Sequence, residues 1–320
     1  MTTFGDRLFE LGGVPVTGGN AQSHPVFGKV WFVDGTNGSD SNDGLTPTRA
    51  FATIQAAVTE QIANTTSLGD IIYVFPGSYA ESVTGNLTKV QIIGLDCGGA
   101  AHAASIRPTA GSAYNGEMME AAFRNIMFLS SSSSVKTLPA VLIGYMGYSV
   151  IDNCLFIGRD GTCVTGLQLG PEADNATAAK CDYSAITNNV FSTFFGQAQS
   201  FQYGIRLGST TSTNAAVKQM WHSLIANNRI MATTTGIHLG CGDGKMDGTV
   251  IDGNYIHSME SDTGCSSKGI TSFNSQSSCF VTNNHIVAID GIYGFRVDCL
   301  QGNYVGTGNT VATENPDMTT

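Results

Sequence analysis

The sequence predicts an all-β chain, a single-stranded right-handed parallel β-helix with a short N-terminal capping helix. Three observations carry that prediction. A segment of outline I-x-N-N-x-[IFV] recurs as FRNIMF from Phe123, IDNCLF from Ile151, ITNNVF from Ile186, IANNRI from Ile225, IDGNYI from Ile251, VTNNHI from Val281 and LQGNYV from Leu300. Between most copies lies a second strand of outline G-I-x-L-G: GLQLG from Gly166, GIRLG from Gly204, GIHLG from Gly236, GITSF from Gly269 and GFRVD from Gly294. The spacing from copy to copy is irregular. A leucine-rich or helical repeat would hold its period more tightly, whereas a β-helix coil lengthens its loops without disturbing the stacked strands.

Taken in order, residues 1–29 form an arm. Its LGGVPVTGG run, with Pro15 and Pro25, favours no regular element. Yet the arm contains Phe4, Leu8, Phe9, Val14 and Val16, which a solvated tail would not need, so it is expected to attach the protein to a partner. Residues 30–69 comprise a short strand at Val30 to Val33, an Asp/Asn/Gly loop and a helix. Phe51, Ile54, Ala57, Val58 and Ile62 fall at i, i+3, i+4 spacing and predict an amphipathic helix there. The open end of a coil stack exposes unpaired strand edges, so this helix is expected to plug it. The coil stack is placed at 70–306, and a tail at 307–320.

In I-x-N-N-x-I the apolar residues flank a bend, and the second Asn is expected to take the left-handed conformation. Coils stack about 4.8 Å apart. Asn189, Asn228, Asn254, Asn284 and Asn303 are therefore expected to hydrogen-bond one to the next as a structural ladder, with Cys154 closing the column.

Catalysis in such a scaffold needs carboxylates close together on an outward face. The outward column of the Asn segments reads Asp152, Thr187, Ala226, Asp252, Thr282 and Gln301. Its two aspartates would stand three coils apart, about 14 Å, which exceeds the roughly 5 to 9.5 Å of glycoside hydrolysis. No catalytic residue is expected from the columns. The second strand presents Gln168, Arg206, His238, Thr271 and Arg296, a polar stripe read as a solvated face or as a surface for glycans or a neighbouring subunit. After the Asn pair, Leu155, Val190, Arg229, Tyr255, His285 and Tyr304 should point outward and hint at a covered face. Arg206, His238, Arg296, Tyr255 and Tyr304 are the candidate glycan- or subunit-binding residues.

Composition excludes other classes. The net charge of −10 leaves no basic stripe for a phosphate backbone, so no nucleic acid partner is expected. No apolar run is long enough to span a membrane, and the start has no signal-peptide core. The eight cysteines include no CxxC pair and read as mostly free, buried thiols. No metal or cofactor is expected. The Asp34 to Gly44 loop is rich in oxygen ligands of the kind Ca²⁺ takes, but it lacks the EF-hand order and its terminal Glu.

The opening VWFVDGTNGSDSNDGLTPTRAFATIQAAV, followed by GDIIYVFPGSYAESV, resembles pectin-lyase-fold proteins, especially those of tailed bacteriophages. The start FGDRLFELGGVPV is similar to short starts of phage virion proteins. The resemblance implies a structural virion protein, a capsid decoration or short spike, attached to other virion subunits through its arm. It also implies a homo-oligomer, by preference a trimer, on the virion surface and in contact with host-surface polysaccharide. Two alternatives stay open. One is a polysaccharide lyase or hydrolase drawing on Asp160, Glu172, Asp174, Asp243, Asp247, Glu260 and Asp262, all read as loop residues. The other is an adhesin that binds glycan without cleaving it.

Overall fold

The computed structural model describes the strands Phe9–Leu11 and Val14–Val16 and, from 28 to 305, all but 65–68, 97–102, 132–137, 159–163, 171–179, 194–200, 209–218, 241–245, 259–267, 277, 288–289 and 296–299. Apart from the first two strands, the strands join in one continuous ladder of 29 members, paired in parallel throughout. The ladder wraps round three faces, here called sheets A, B and C in coil order. One coil shows the pattern. Thr165–Leu169 and Lys180–Asp182 lie in sheet A, Ala185–Thr187 in sheet B and Val190–Thr193 in sheet C.

Apolar side chains at alternate positions fill the interior. Phe128, Phe156 and Phe191 stack from coil to coil with ring centroids 5.3 and 4.4 Å apart. Beneath them the column Met146, Cys181, Met220, Met246 is fully enclosed. The first glycine of G-x-x-L-G makes room for this core. A Cβ on Gly166 would come within 2.7 Å of the Phe191 ring and 2.8 Å of the Gly204 carbonyl. The equivalent atom on Gly204 would strike Ile230.

The stack begins earlier than the first buried run. Val30–Val33 pairs in parallel with Asp70–Val74 as the first rung of sheet B. The helix Ile54–Ala63, starting three residues after Phe51 with Thr53 as its N-cap, lies on the exposed edge of sheet A. There Gln55 binds Thr84 through both its amide atoms, and the Gln61 amide donates to the Thr88 carbonyl. The strand edge is thus satisfied by side chains where a further strand is missing. Glu81 accepts from the N–H groups of Ile54 and Gln55, tying the helix start to the coils.

In the arm, Phe9–Leu11 pairs antiparallel with Val14–Val16, so a short hairpin stands where no regular element was expected. Phe4 and Leu8 lie outside the described residues, and Phe9, Val14 and Val16 are placed by backbone alone.

Candidate functional site

Each coil turns two described corners, and both use the same device. At the corner between sheets B and C, Asn125, Asn153, Asn188, Asn227 and Asn283 have φ between 49° and 57°, with Gly253 and Gly302 in the remaining coils. The left-handed residue is therefore the first of the Asn pair, and the expectation for the second is corrected. The second Asn faces inward, where a left-handed backbone would not aim it. Asn228 accepts at Oδ1 from the Asn189 N–H and amide, and donates to Ile186 O and Asn254 Oδ1, all at 2.9 to 3.0 Å. Asn254, Asn284 and Asn303 continue the column, and the Cys154 N–H donates to Asn189 Oδ1 at its start. Asp152 and Asp252 stand three coils apart and clasp this corner, accepting from Thr187 and Asn188, and from Thr282 and Asn283.

At the corner between sheets A and B the left-handed residues are Lys89, Glu120, Tyr148, Tyr183 and His222, followed by Gly248. Their N–H groups still reach the next coil: Tyr148 to Asp182 O, Tyr183 to Trp221 O and His222 to Asp247 O. The residue after Tyr148, Tyr183 and His222 is a buried serine. The Ser149 N–H donates to Ser184 Oγ at 3.1 Å, and the Ser184 N–H to Ser223 Oγ at 3.2 Å. A serine column thus locks the corner and leaves the aromatic residue outside.

There the rings stack. Tyr148 and Tyr183 are parallel within 1° at 4.9 Å, and Tyr183 and His222 lie 12° apart in plane at 5.0 Å. Parallel rings touch at about 3.5 Å. Rings whose centroids are farther apart than that must be offset, so they form a staircase that leaves part of each face uncovered. Tyr148 is 58% exposed and Tyr183 47%. The last step, His222, lies over Gly248, whose missing Cβ would sit 2.9 Å from the ring.

Beside the staircase, sheet A presents Tyr145, Lys180, Asp182, Gln219, Trp221 and Asp247. Asp182, Trp221 and Asp247 share one column, with Trp221 39% exposed. Burial raises the pKa of Asp182, against the Gln219 amide, Lys180 and the Trp221 N–H, which lower it. Burial also raises the Tyr145 phenol, with Asp182 adding to the effect. On the other flank, sheet B presents Val150, Ala185, Leu224, Val250 and Phe280, an apolar row in which Phe280 stands 55% exposed.

The sequence candidates lie elsewhere. Arg206 and His238 do share a column with Gln168 and Thr271, but all four are buried rather than solvated. Gly170 and Gly208, which close the two strands, are left-handed. The Gln168 amide and Arg206 Nε both donate to Gly208 O at 2.9 Å, and His238 Nδ1 meets Thr271 Oγ1 at 2.7 Å. The strand after Thr271 registers one motif earlier than expected, so Tyr293 takes the place assigned to Arg296, which lies outside the described residues. On sheet C, Tyr255 is exposed, with the Arg229 guanidinium 5.8 Å from its ring and the His285 ring at 5.1 Å. Tyr304 follows His285 in register.

Asp247 is in the strand Met246–Asp252 rather than a loop, and the other six loop carboxylates lie outside the described residues. In the Asp34 to Gly44 loop the carboxylates serve the protein's own donors. Asp34 accepts from Thr36 and Asn37, Asp40 from Ala52 and Thr53, and Asp43 from Leu45 and Arg49. Among the described residues no group of three or more His, Cys, Asp or Glu could hold a metal ion. Burial pushes the Cys154 and Cys181 thiols up to about 12, so they act as core rather than as nucleophiles. Among the described residues no helix is long and apolar enough to cross a membrane.

No family model and no curated protein matches the sequence. Among solved structures the chain superposes on a pectate lyase with a TM-score of 0.59 at 12% identity, covering 90% of this chain and 78% of that one. It superposes on the GH136 lacto-N-biosidase from Eubacterium ramulus with a TM-score of 0.52 at 14% identity, covering 87% of this chain and 56% of that one. The fold is a right-handed parallel β-helix. The staircase belongs to this β-helix's own sequence, in which Tyr-Ser, Tyr-Ser and His-Ser precede three successive Asn segments. Lys89, Glu120 and Gly248 take the same position in other coils, so the column has no shared residue type to mark it in the sequence.

Proposed function

We propose that this β-helix is a glycan-contacting protein and that the corner between sheets A and B is its contact face. The observation that carries the reading is the exposed staircase of Tyr148, Tyr183 and His222. A left-handed backbone costs a non-Gly residue roughly 1–2 kcal/mol and marks a bulky one as an outlier. Tyrosines held there on successive coils, over a serine column that would support glycine equally well, point to a use for the rings. The apolar faces of pyranose rings stack on aromatic surfaces, and the neighbouring polar groups can hold their hydroxyls. The polysaccharide-acting enzymes among the structural neighbours suit such a reading, although they support it only through the shared scaffold. Retention of the full chain on a glycan array tests it, and absence of binding to every glycan refutes it.

The setting we propose is the surface of a tailed-phage particle, where the protein is a decoration or short spike attached through its arm, as a trimer by preference. Its support is the resemblance of the opening motifs. Immuno-electron microscopy of purified particles carrying this gene product should label their surface, and unlabelled particles would remove the assignment.

A second reading has one observation in its favour. Asp182, with its raised pKa, and Asp247 flank Trp221 two coil rises apart, about 9.6 Å, at the upper limit for inverting glycoside hydrolysis. Release of new reducing ends from a bound polysaccharide, lost in Asp182→Asn, would convert the binding protein into an enzyme.

A further inference from the structure

Resting on the glycan reading, we infer that the ligand is a linear glycan free of carboxylate and sulfate groups, laid along the axis of the solenoid. Direction comes from the repeat. The exposed rings succeed one another at 4.9 and 5.0 Å, close to the length of one pyranose residue, so each coil offers one step to one sugar. A strand running across the coils would meet a single ring.

Composition of the ligand follows from what borders the staircase. On its sheet A side stand the carboxylates of Glu117, Asp182 and Asp247, with Glu120 at the corner position directly before Tyr148. Against these four carboxylates stand two lysines among the described residues, Lys180, itself beside Asp182, and Lys89 at the corner position before Glu120. A polyuronate or sulfated chain would bring its charges against this surplus of like sign, at distances well inside a Debye length of about 8 Å. Neutral hydroxyls suit the same border, since the exposed carboxylates of Glu117 and Asp247 are acceptors without a donor of their own when ionised, and the half-buried Lys180 ammonium is a donor. On the sheet B side the row Val150, Ala185, Leu224, Val250 and Phe280 offers no hydrogen-bonding side chain. The surface is thus a band with an apolar edge, an aromatic spine and an acidic edge. It fits a ribbon-like sugar chain with C–H faces on one side and hydroxyl or amino groups on the other.

The experiment uses the full chain on an array of neutral, amino-sugar and uronate-containing glycans, beside the double variant Tyr148→Gly, Tyr183→Gly. Glycine relieves the left-handed backbone, so this variant keeps its fold while losing the spine. The expected result is retention of the wild type on neutral or amino-sugar glycans, weakened at least tenfold in the variant, with an unchanged or higher melting temperature. Binding to uronate-containing glycans that is stronger than to neutral ones, and lost in the variant, would overturn the ligand class and leave the contact face standing. Glycan binding equal in wild type and variant would overturn the staircase as the site but not the glycan function. No binding by either protein would remove both. A wild-type dimer that the variant breaks, measured by sedimentation, would give the face to a second copy and refute the inference.

Discussion

The two corners of each coil solve one backbone problem with different residues. At both, a left-handed residue turns the chain, and in the middle coils the residue after it, Ser149, Ser184 or Ser223 at one corner and an Asn from Asn189 onward at the other, sends an oxygen inward to accept an N–H from the preceding coil. Between sheets B and C the turning residue is Asn or Gly in every coil from Asn125 onward, the types that tolerate this conformation best. Between sheets A and B it is Lys, Glu, Tyr, Tyr, His and Gly in turn. One corner uses residues that suit the backbone and whose amides, as in Asn188 and Asn283, bind the corner itself. At the other, residues poorly suited to the backbone are kept, and what they share is exposure. The difference separates a corner that holds the fold from a corner that carries a surface.

The comparison can be broken most severely at its structural corner. Asn228→Ala removes a buried amide that serves four partners, leaving Asn189 N–H and Ile186 O without theirs, so the variant should lose about 3 kcal/mol of stability. Urea denaturation measures it. A midpoint equal to wild type would show that the ladder is idle. The corresponding cut at the other corner, Ser184→Ala, removes the acceptor of the Ser149 N–H and should cost about 1 to 2 kcal/mol by the same measurement.

Tyr183→Gly sharpens the contrast. It loses two ring contacts and the rigidity of a side chain but gains relief of the backbone, so its stability should stay within about 1 kcal/mol of wild type. A loss of 3 kcal/mol would make the rings structural. Acid titration supplies a control away from both corners. Burial of Asp34 pushes its pKa up, but the Asn37 amide and the N–H groups of Thr36 and Asn37 outweigh that and hold it below its ordinary 3.8. A carboxyl lowered in the folded state contributes stability above its unfolded pKa and loses it as pH falls through the folded value. Asp34→Asn should therefore lower the melting temperature slightly at pH 7 and converge on wild type as the pH falls below about 4, so that its acid limb is flatter.

The fold was legible because the Asn corner repeats residue types, and a repeated type is what an alignment by eye detects. The helix on the open strand edge was legible for a similar reason, since its apolar spacing is local. The staircase was present in the sequence as GYS, DYS and WHS, always at the same distance before the first Asn of a pair. It went unread because its significance lies in a backbone conformation that tyrosine does not advertise. The polar column of Arg206 and His238 was misread for the opposite reason. Alternation correctly sends those side chains away from the core, but alternation says nothing about the backbone carbonyl that meets them there, and the signal for that was the closing glycine of G-x-x-L-G, since Gly208 O takes the Gln168 and Arg206 donors. Arg296 was displaced because GIYGF and GFRVD both satisfy the pattern, and only pairing chooses between them.

From Tyr148 to Asn153, Tyr183 to Asn188, His222 to Asn227 and Gly248 to Gly253 the chain spans the same number of residues. Length varies elsewhere in the coil, so sheet B works as a ruler while the other faces absorb insertions and deletions. Duplicating one whole coil, for instance 180–218, should then lengthen the molecule by a single graduation of about 4.8 Å and add one Tyr to the row without shifting any register. On the glycan reading proposed above, reach along a polymer would become a quantity set by gene duplication, one sugar at a time.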